Sequence, residues 1–187
     1  EVLAQVRIPD PERRARAYPF ELSGGMCQRI MIAMALSCKP ALLLADEPTT
    51  GLDVTTQAVI MALLDEQAKA QGMATVLITH DLALASEHAD RIAVMHAGQV
   101  VETAPTAELL AAPRHPYTRS LIAATPVPAA SLATLAAVPG GLPDLRRDDL
   151  PSCRYSARCP RYYVACDGRL PLEQLSPRHA VACRHPL

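Results

Sequence analysis

Leu22-Ser23-Gly24-Gly25-Met26-Cys27-Gln28-Arg29 is the stretch on which the reading of this chain turns. A serine and two glycines open an uninterrupted helical run from Met26 to Leu36. The free N–H groups of the first turn and the positive end of the helix dipole then gather at Ser23 and Gly25, a setting that favours phosphate. Ser23 is also a good N-cap. Taken alone, the same residues equally describe a capped surface helix whose glycines only make a turn.

The residues downstream narrow the choice. Ala41-Leu42-Leu43-Leu44-Ala45-Asp46-Glu47-Pro48 is a short apolar run ending in two carboxylates, and it predicts a buried strand of a parallel sheet. Strand ends are where α/β proteins place chemistry. Side chains alternate along a strand, so Asp46 and Glu47 are expected to face different ways, one to hold a metal and the other to orient or deprotonate a water. Thr49-Thr50-Gly51-Leu52-Asp53 follows at once. A second apolar, β-rich run, Ala74 to Ile78, ends in Thr79-His80-Asp81, so two strands would deliver polar groups to one edge. Neutral His80 could hydrogen-bond a γ-phosphate or the attacking water, or else cap the helix beginning near Asp81.

With these four segments in this order, the chain resembles the ATP-binding subunits of ABC transporters. Leu22 to Arg29 is similar to the family's signature motif, Leu42 to Glu47 to its Walker B strand, Gly51 to Asp53 to its D-loop, and His80 to its switch histidine. Gly51 stands where the family usually has alanine. The resemblance implies that Asp46 binds magnesium through water, that Glu47 is the catalytic base, and that His80 steadies the γ-phosphate and the water. Ser23, Gly24, Gly25 and Gln28 would contact an ATP bound mainly to a second subunit, with Asp53 facing the same interface. A head-to-tail pair of such subunits, homo- or heterodimeric, would sandwich two nucleotides.

The G-x-x-x-x-G-K-[ST] loop that cradles phosphates in such enzymes is not found in these residues. The chain starts at Glu1, just before the signature, and the expectation is a sequence truncated ahead of the P-loop that would not hydrolyse ATP unaided. The expected fold is α/β: the C-terminal part of a P-loop ABC nucleotide-binding domain, a parallel sheet with flanking helices, over residues 1–112. Within it, Thr55 to Gln71 predicts a helix with Val59, Ile60, Leu63 and Leu64 on one stripe. Residues 81–89 predict another helix, and apolar residues flanking Ala97-Gly98 predict a hairpin. Thr106 to Ala112 is a short helix stopped by Pro113.

Composition agrees without being decisive. Half of the 187 residues are apolar, enough for a real core, and 18 basic against 19 acidic side chains leave no global field for nucleic acid. With one Phe and five Tyr, there are too few rings for a base-stacking surface. No apolar run approaches the ~20 residues needed to cross a bilayer, and Glu1 to Phe20 lacks the apolar core of a secretion signal. Peripheral attachment at the cytoplasmic face, through protein partners, is the expectation.

From Pro105 onward the chain holds twelve of its 17 prolines, which predicts an irregular appendage rather than more sheet, with a boundary near Pro113. His115-Pro116-Tyr117-Thr118-Arg119-Ser120-Leu121 resembles the His-Pro-Tyr segment of the dipeptide, oligopeptide and nickel branch of ABC importers. Residues 113–187 would then be that branch's C-terminal extension. It carries Cys153, Cys159, Cys166 and Cys183, spaced C-x5-C-x6-C-x16-C. In a reducing compartment a metal is a better cross-link than a disulfide. Zinc sites usually use tight C-x2-C pairs, and none occurs here, whereas the wider spacings suit a larger cluster. Members of that branch include proteins with a [4Fe-4S] cluster in this region, so the resemblance implies a [4Fe-4S] cluster, with Zn2+ as the alternative and His179 or His185 as substitute ligands. Four unliganded thiols in an extended tail remain a further reading.

The function so implied is an ATP-binding and ATP-hydrolysing subunit energising uptake of peptides or related solutes. Its partners would be a second ATPase subunit, transmembrane permease subunits and an extracytoplasmic solute-binding protein. Two alternatives belong to other classes: a soluble ABC-type ATPase of DNA repair or translation, and a non-catalytic fragment whose working part is the cysteine module. Dipeptide, oligopeptide, nickel and glycoside solutes all remain open.

Overall fold

The computed structural model describes residues 1–125 and 140–187; residues 126–139 of the expected extension lie outside them. The described residues form two compact units, Glu1–Asp81 and Leu82–Leu187.

In the first unit, two short helices, α1 (Val2–Gln5) and α2 (Pro11–Arg14), precede the long helix α3 (Gly24–Leu36). Strand β1 (Leu42–Asp46), helix α4 (Val54–Gln71) and strand β2 (Ala74–Ile78) follow. The β1–α4–β2 order is a βαβ crossover, and the strands pair in parallel with Leu42 opposite Ala74 and Asp46 opposite Ile78. Helices α3 and α4 each begin on a capping side chain: Ser23 Oγ accepts the amide of Met26, and Asp53 Oδ1 accepts that of Thr56. Helix α4 ends on Gly72 in the left-handed conformation.

Two expectations are corrected here. Strand β1 is buried on one face only: Leu43 and Ala45 are covered, while Leu42, Leu44, Val76 and Ile78 are exposed together on the other face. A two-stranded sheet packed on one side has to show its alternate residues to solvent. On α4, the buried stripe is Ile60, Met61, Leu63, Leu64 and Gln67, and Val59 lies outside it. At about 100° per residue, Val59 and Met61 flank opposite sides of the Ile60–Leu64–Gln67 line, and only the Met61 side is covered.

The second unit opens with helix α5 (Leu82–His88) and a hairpin of β3 (Arg91–His96) and β4 (Gln99–Pro105), turning at Ala97-Gly98 as expected. Helices α6 (Thr106–Ala111) and α7 (Pro116–Ala124) follow, the latter starting with proline at its first position, where no amide is required. The appendage is not wholly irregular. Short strands β5 (Glu173–Ser176) and β6 (His179–Val181) extend the hairpin into an antiparallel sheet of order β3-β4-β6-β5. Prolines 171 and 177 flank β5 without entering it, so the proline-rich composition still leaves room for two short strands. Ile92, Val94, Val101, Ala104 and Leu109 form the core, with Tyr117, Leu121 and Ile122 of α7 packed against it.

Candidate functional site

The parallel pairing of β1 and β2 brings Asp46, Glu47 and His80 to one sheet edge. Strand β1 ends at Asp46, which is exposed. Glu47 continues the ladder through its amide, which donates to the Ile78 carbonyl at 2.9 Å, but its φ of 48° lies in the left-handed region. Strand alternation therefore stops at Asp46, and the direction of the Glu47 side chain is set by a strained backbone, a cost of order 1 kcal/mol or more that recurs at functional sites.

Three donors hold the Glu47 carboxylate. The His80 backbone amide reaches Oε1 at 3.1 Å, and the Thr50 hydroxyl donates to Oε2 at 2.8 Å. His80 Nδ1 lies 2.8 Å from Oε1 and 3.0 Å from Oε2. The His80 contact, then the Thr50 hydroxyl, lowers the Glu47 pKa below the usual carboxylate range, and Glu47 in return raises that of His80. The His80 side chain is 80% exposed, so Nε2 looks outward while Nδ1 is engaged. Thr50 carried no role in the sequence reading; its position three residues after a carboxylate in a turn is the signal that would have found it. The Asp81 amide is taken by the Thr79 hydroxyl at 3.1 Å.

A second group surrounds the start of α3. No acceptor takes the amides of Gly24 or Gly25 among the described residues, as the first turn of a helix leaves them. Gly25 packs so tightly on α4 that a Cβ there would fall 2.7 Å from Thr56 Cγ2, whereas one on Gly24 would meet only Leu52 Cδ2 at 4.0 Å. Thr56 is held in turn by Asp53, whose Oδ2 accepts the Thr56 hydroxyl at 2.8 Å. The Thr56 amide, then its hydroxyl, depresses the Asp53 pKa. Gly25 and Asp53 thus share one threonine between them. Gln28 sits one turn further along α3, half-buried. No hydrogen bond links this group to the Glu47–His80 pair among the described residues.

In the second unit, Cys153, Cys159, Cys166 and Cys183 line a single recess together with His115, Arg161, Tyr162 and His185. Burial, together with the neighbouring thiols, pushes the Cys153 and Cys183 pKa values up. Among the described residues, no group of three or more His, Cys, Asp or Glu is placed to hold one metal ion. A single zinc needs every sulfur ~2.3 Å from one point, and the four thiols do not converge in that way. His179 lies away from this recess. Its Nε2 meets Glu102 Oε1 at 2.7 Å and its Nδ1 meets Glu108 Oε1 at 2.9 Å, so both ring nitrogens are taken by carboxylates and it is no substitute thiol ligand.

Glu102 escaped the sequence reading altogether. Fully buried, it also accepts the amides of Arg114 at 2.6 Å and His115 at 2.9 Å, fixing the chain as it enters the His-Pro-Tyr segment. A lone carboxylate in a strand carries no sign of such a task. Next to it, His96, Tyr117 and Tyr155 pack ring on ring, with His96 and Tyr117 stacked at 4.4 Å.

The ABC transporter family matches residues 1–50, and the family described as the oligopeptide/dipeptide transporter C-terminal region matches residues 101–166. The dipeptide transport ATP-binding protein DppD of Escherichia coli (strain K12) is 50% identical over 188 residues, covering 100% of this chain and 57% of that protein. A probable peptide ABC transporter ATP-binding protein, y4tR of Sinorhizobium fredii, is 48% identical over 98% of this chain and 55% of its own length. DppD of Bacillus subtilis (strain 168) is 44% identical over 97% of this chain and 54% of its own length. The chain thus spans a little over half the length of the curated relatives it matches. Alike over its whole length to such proteins, and carrying both matched regions, the chain is similar to the ATP-binding proteins of ABC transporters, in the oligopeptide/dipeptide branch.

Proposed function

We propose that the protein to which this chain belongs binds and hydrolyses ATP to energise peptide import. The observation that carries the reading is the Glu47–His80 pair: two parallel strands set a carboxylate and an imidazole 2.8 Å apart, with Asp46 beside them. A protonated His80 donates Nδ1–H to Glu47 and presents Nε2–H outward to a γ-phosphate oxygen. Transfer of the nucleophile's proton to Glu47 then requires the carboxylate to be shared between His80 and the attacking water. The charge developing on the phosphate meets a donor already in place.

Asp46 would hold magnesium, which suits an ion that takes one or two carboxylates and fills its other positions with water and phosphate oxygens. When bound, that ion supplies charge neutralisation on the transferring phosphate. The open amides of Gly24 and Gly25, with Ser23 and Gln28, would receive the γ-phosphate of a nucleotide seated on a second subunit, and Asp53 would face the same junction. Residues 1–112 belong to the ATPase domain in this reading, and 113–187 to the extension.

The relatives named above transport dipeptides or peptides, and the same solute class is proposed here. Permease subunits and an extracytoplasmic binding protein would complete the system, with this protein peripheral at the cytoplasmic face. No helix among the described residues is long and apolar enough to cross a membrane. The match of residues 101–166 to a transporter region disfavours a DNA-repair or translation ATPase.

For the extension, a [4Fe-4S] cluster is the proposed group and Zn2+ the alternative, because four thiols line one recess and their spacings are wider than the C-x2-C pairs usual at zinc sites. Cys153, Cys159, Cys166 and Cys183 would be its ligands, and the cluster would staple loops that have little core of their own.

The deciding experiment is Glu47→Gln in the full-length protein. Hydrolysis is expected to fall at least 100-fold while ATP stays bound; undiminished turnover would remove Glu47 from its role.

A further inference from the structure

Strand β4 and the loops around residues 152–155 and 170–172 border a cavity of about 240 Å³. That is the space of about eight waters at ~30 Å³ each, below the ~300–1,000 Å³ usual for drug-sized ligands, so an occupant is small. The walls divide by chemistry. Val100, Leu170 and Leu172 form an apolar side, and Val100 and Leu172 are 37% and 45% exposed, so the described fold leaves this surface open. Arg154 is the charged side chain of the lining: no Asp or Glu among the described residues contributes to it, and burial keeps His115 neutral, with a pKa of about 4. The Arg154 guanidinium is only partly used. Nη1 donates to the Ala97 carbonyl, Nε is buried without an acceptor, and Nη2 has no acceptor among the described residues. A guanidinium taken partly out of water calls for an anion, and its planar fork matches a carboxylate. Gln99 adds an acceptor to the same lining. Its Nε2 donates to the Ser152 carbonyl at 3.2 Å, which leaves Oε1 without a donor among the described residues.

We propose that this cavity binds the C-terminal residue of a dipeptide, or another N-acylated amino acid, through its carboxylate, its amide and an apolar side chain. The carboxylate pairs with Arg154, the amide N–H donates to Gln99 Oε1, and the side chain covers Val100, Leu170 and Leu172. The same lining discriminates between related molecules. A free amino acid brings an ammonium next to its carboxylate, and no acidic side chain of the lining receives it, so burying that charge works against binding. In a dipeptide the same position is an uncharged amide, and the ammonium lies one residue further out. A simple fatty acid satisfies Arg154 but leaves Gln99 Oε1 unmatched. The site is independent of the nucleotide residues: those belong to the first unit and the whole lining to the second.

Isothermal titration calorimetry on the full-length protein tests the assignment, with alanyl-leucine, N-acetyl-leucine, N-acetyl-leucinamide, hexanoate and leucine as probes. Alanyl-leucine and N-acetyl-leucine are expected to bind saturably below about 10 mM, as suits ligands of this size. N-acetyl-leucinamide should bind about tenfold more weakly or worse, because it loses a charge-assisted pair. Equal affinity for N-acetyl-leucine and its amide, or no saturation by either acid, overturns the proposal. Hexanoate at the affinity of N-acetyl-leucine, or leucine at that of alanyl-leucine, overturns the N-acylated amino acid as the ligand class. Two variants locate the binding. Arg154→Gln removes the cation, and Leu172→Asp sets a like charge against the ligand carboxylate at an exposed position where the core is untouched. Each should weaken N-acetyl-leucine about tenfold or more. Where Arg154→Gln does not fold, Leu172→Asp decides, and an unchanged affinity there overturns the site.

Discussion

His80 Nδ1 lies 2.8 Å from Glu47 Oε1, a contact between residues 33 apart in sequence that exists only because β1 and β2 end side by side. Its protonation behaviour can be checked directly. Glu47 raises the His80 pKa above 6.5, and His80 keeps that of Glu47 below 4.5. The pairing of opposite charges is therefore complete between about pH 4.5 and 6.5. It is lost as pH rises through the raised His80 value, or falls through the lowered Glu47 value. Proton NMR titration of His80 should give a midpoint above 6.5 that drops in Glu47→Gln; an identical midpoint in both proteins would show that the contact is not populated in solution. Both groups are exposed, so this is a local measurement rather than a stability effect.

Gly24 and Gly25 should respond oppositely to alanine. A methyl on Gly25 would sit 2.7 Å from Thr56 Cγ2, and Thr56 cannot simply rotate because its hydroxyl is bonded to Asp53. Gly25→Ala is expected to destabilise by about 1–3 kcal/mol, as overpacking does, and to disturb the Asp53 cap. Gly24→Ala meets only an ordinary contact and gains helix propensity, so it should be neutral or stabilising by up to about 1 kcal/mol. Urea unfolding of the full-length variants decides, and equal midpoints would sink the packing argument.

Local signals made much of this legible. Ser23 announces a helix start, Leu42 to Asp46 and Ala74 to Ile78 announce strands, and Ala97-Gly98 announces a turn, because caps, apolar runs and turns act within a few residues. The exposed face of β1 was not legible, since an apolar run does not say which of its sides is covered. Nor was the choice of Met61 over Val59, which depends on where the neighbouring surface ends. Contacts across long separations left no trace: Glu102 and His179 are 77 residues apart, and β5 is a four-residue strand hidden among prolines. The cysteine spacing pointed to a shared recess but said nothing of His115 as its neighbour.

That same Glu102 supports a stability prediction. It is fully buried and receives two backbone amides and the His179 ring; Glu102→Gln keeps one acceptor oxygen but turns the other into an NH2 that accepts nothing, so at least one of these donors is stranded against another donor. Glu102→Gln should cost about 3–5 kcal/mol, the usual consequence of breaking one side of a buried pair. By contrast, Arg146→Ala breaks an exposed pair with Asp144 and should change stability by less than about 1 kcal/mol. Thermal unfolding of both variants provides the comparison; similar midpoints would mean that the Glu102 network is not holding the His-Pro-Tyr segment.

The hairpin turn offers a change expected to stabilise. Ala97 and Gly98 both have positive φ, 50° and 79°, the pattern of a two-residue type I′ turn whose twist matches the strands. Alanine pays about 1 kcal/mol for that conformation, whereas asparagine tolerates it. Ala97→Asn should therefore raise stability by about 0.5–1 kcal/mol, since the Ala97 carbonyl that accepts from the Arg154 guanidinium is unaltered. Gly98→Ala should do the reverse: it strains the turn and places a Cβ 3.0 Å from Arg154 Nη1, pressing on the same guanidinium. A loss of about 1–2 kcal/mol is expected in urea unfolding. If Ala97→Asn lowers the midpoint instead, the turn in solution is not the one described.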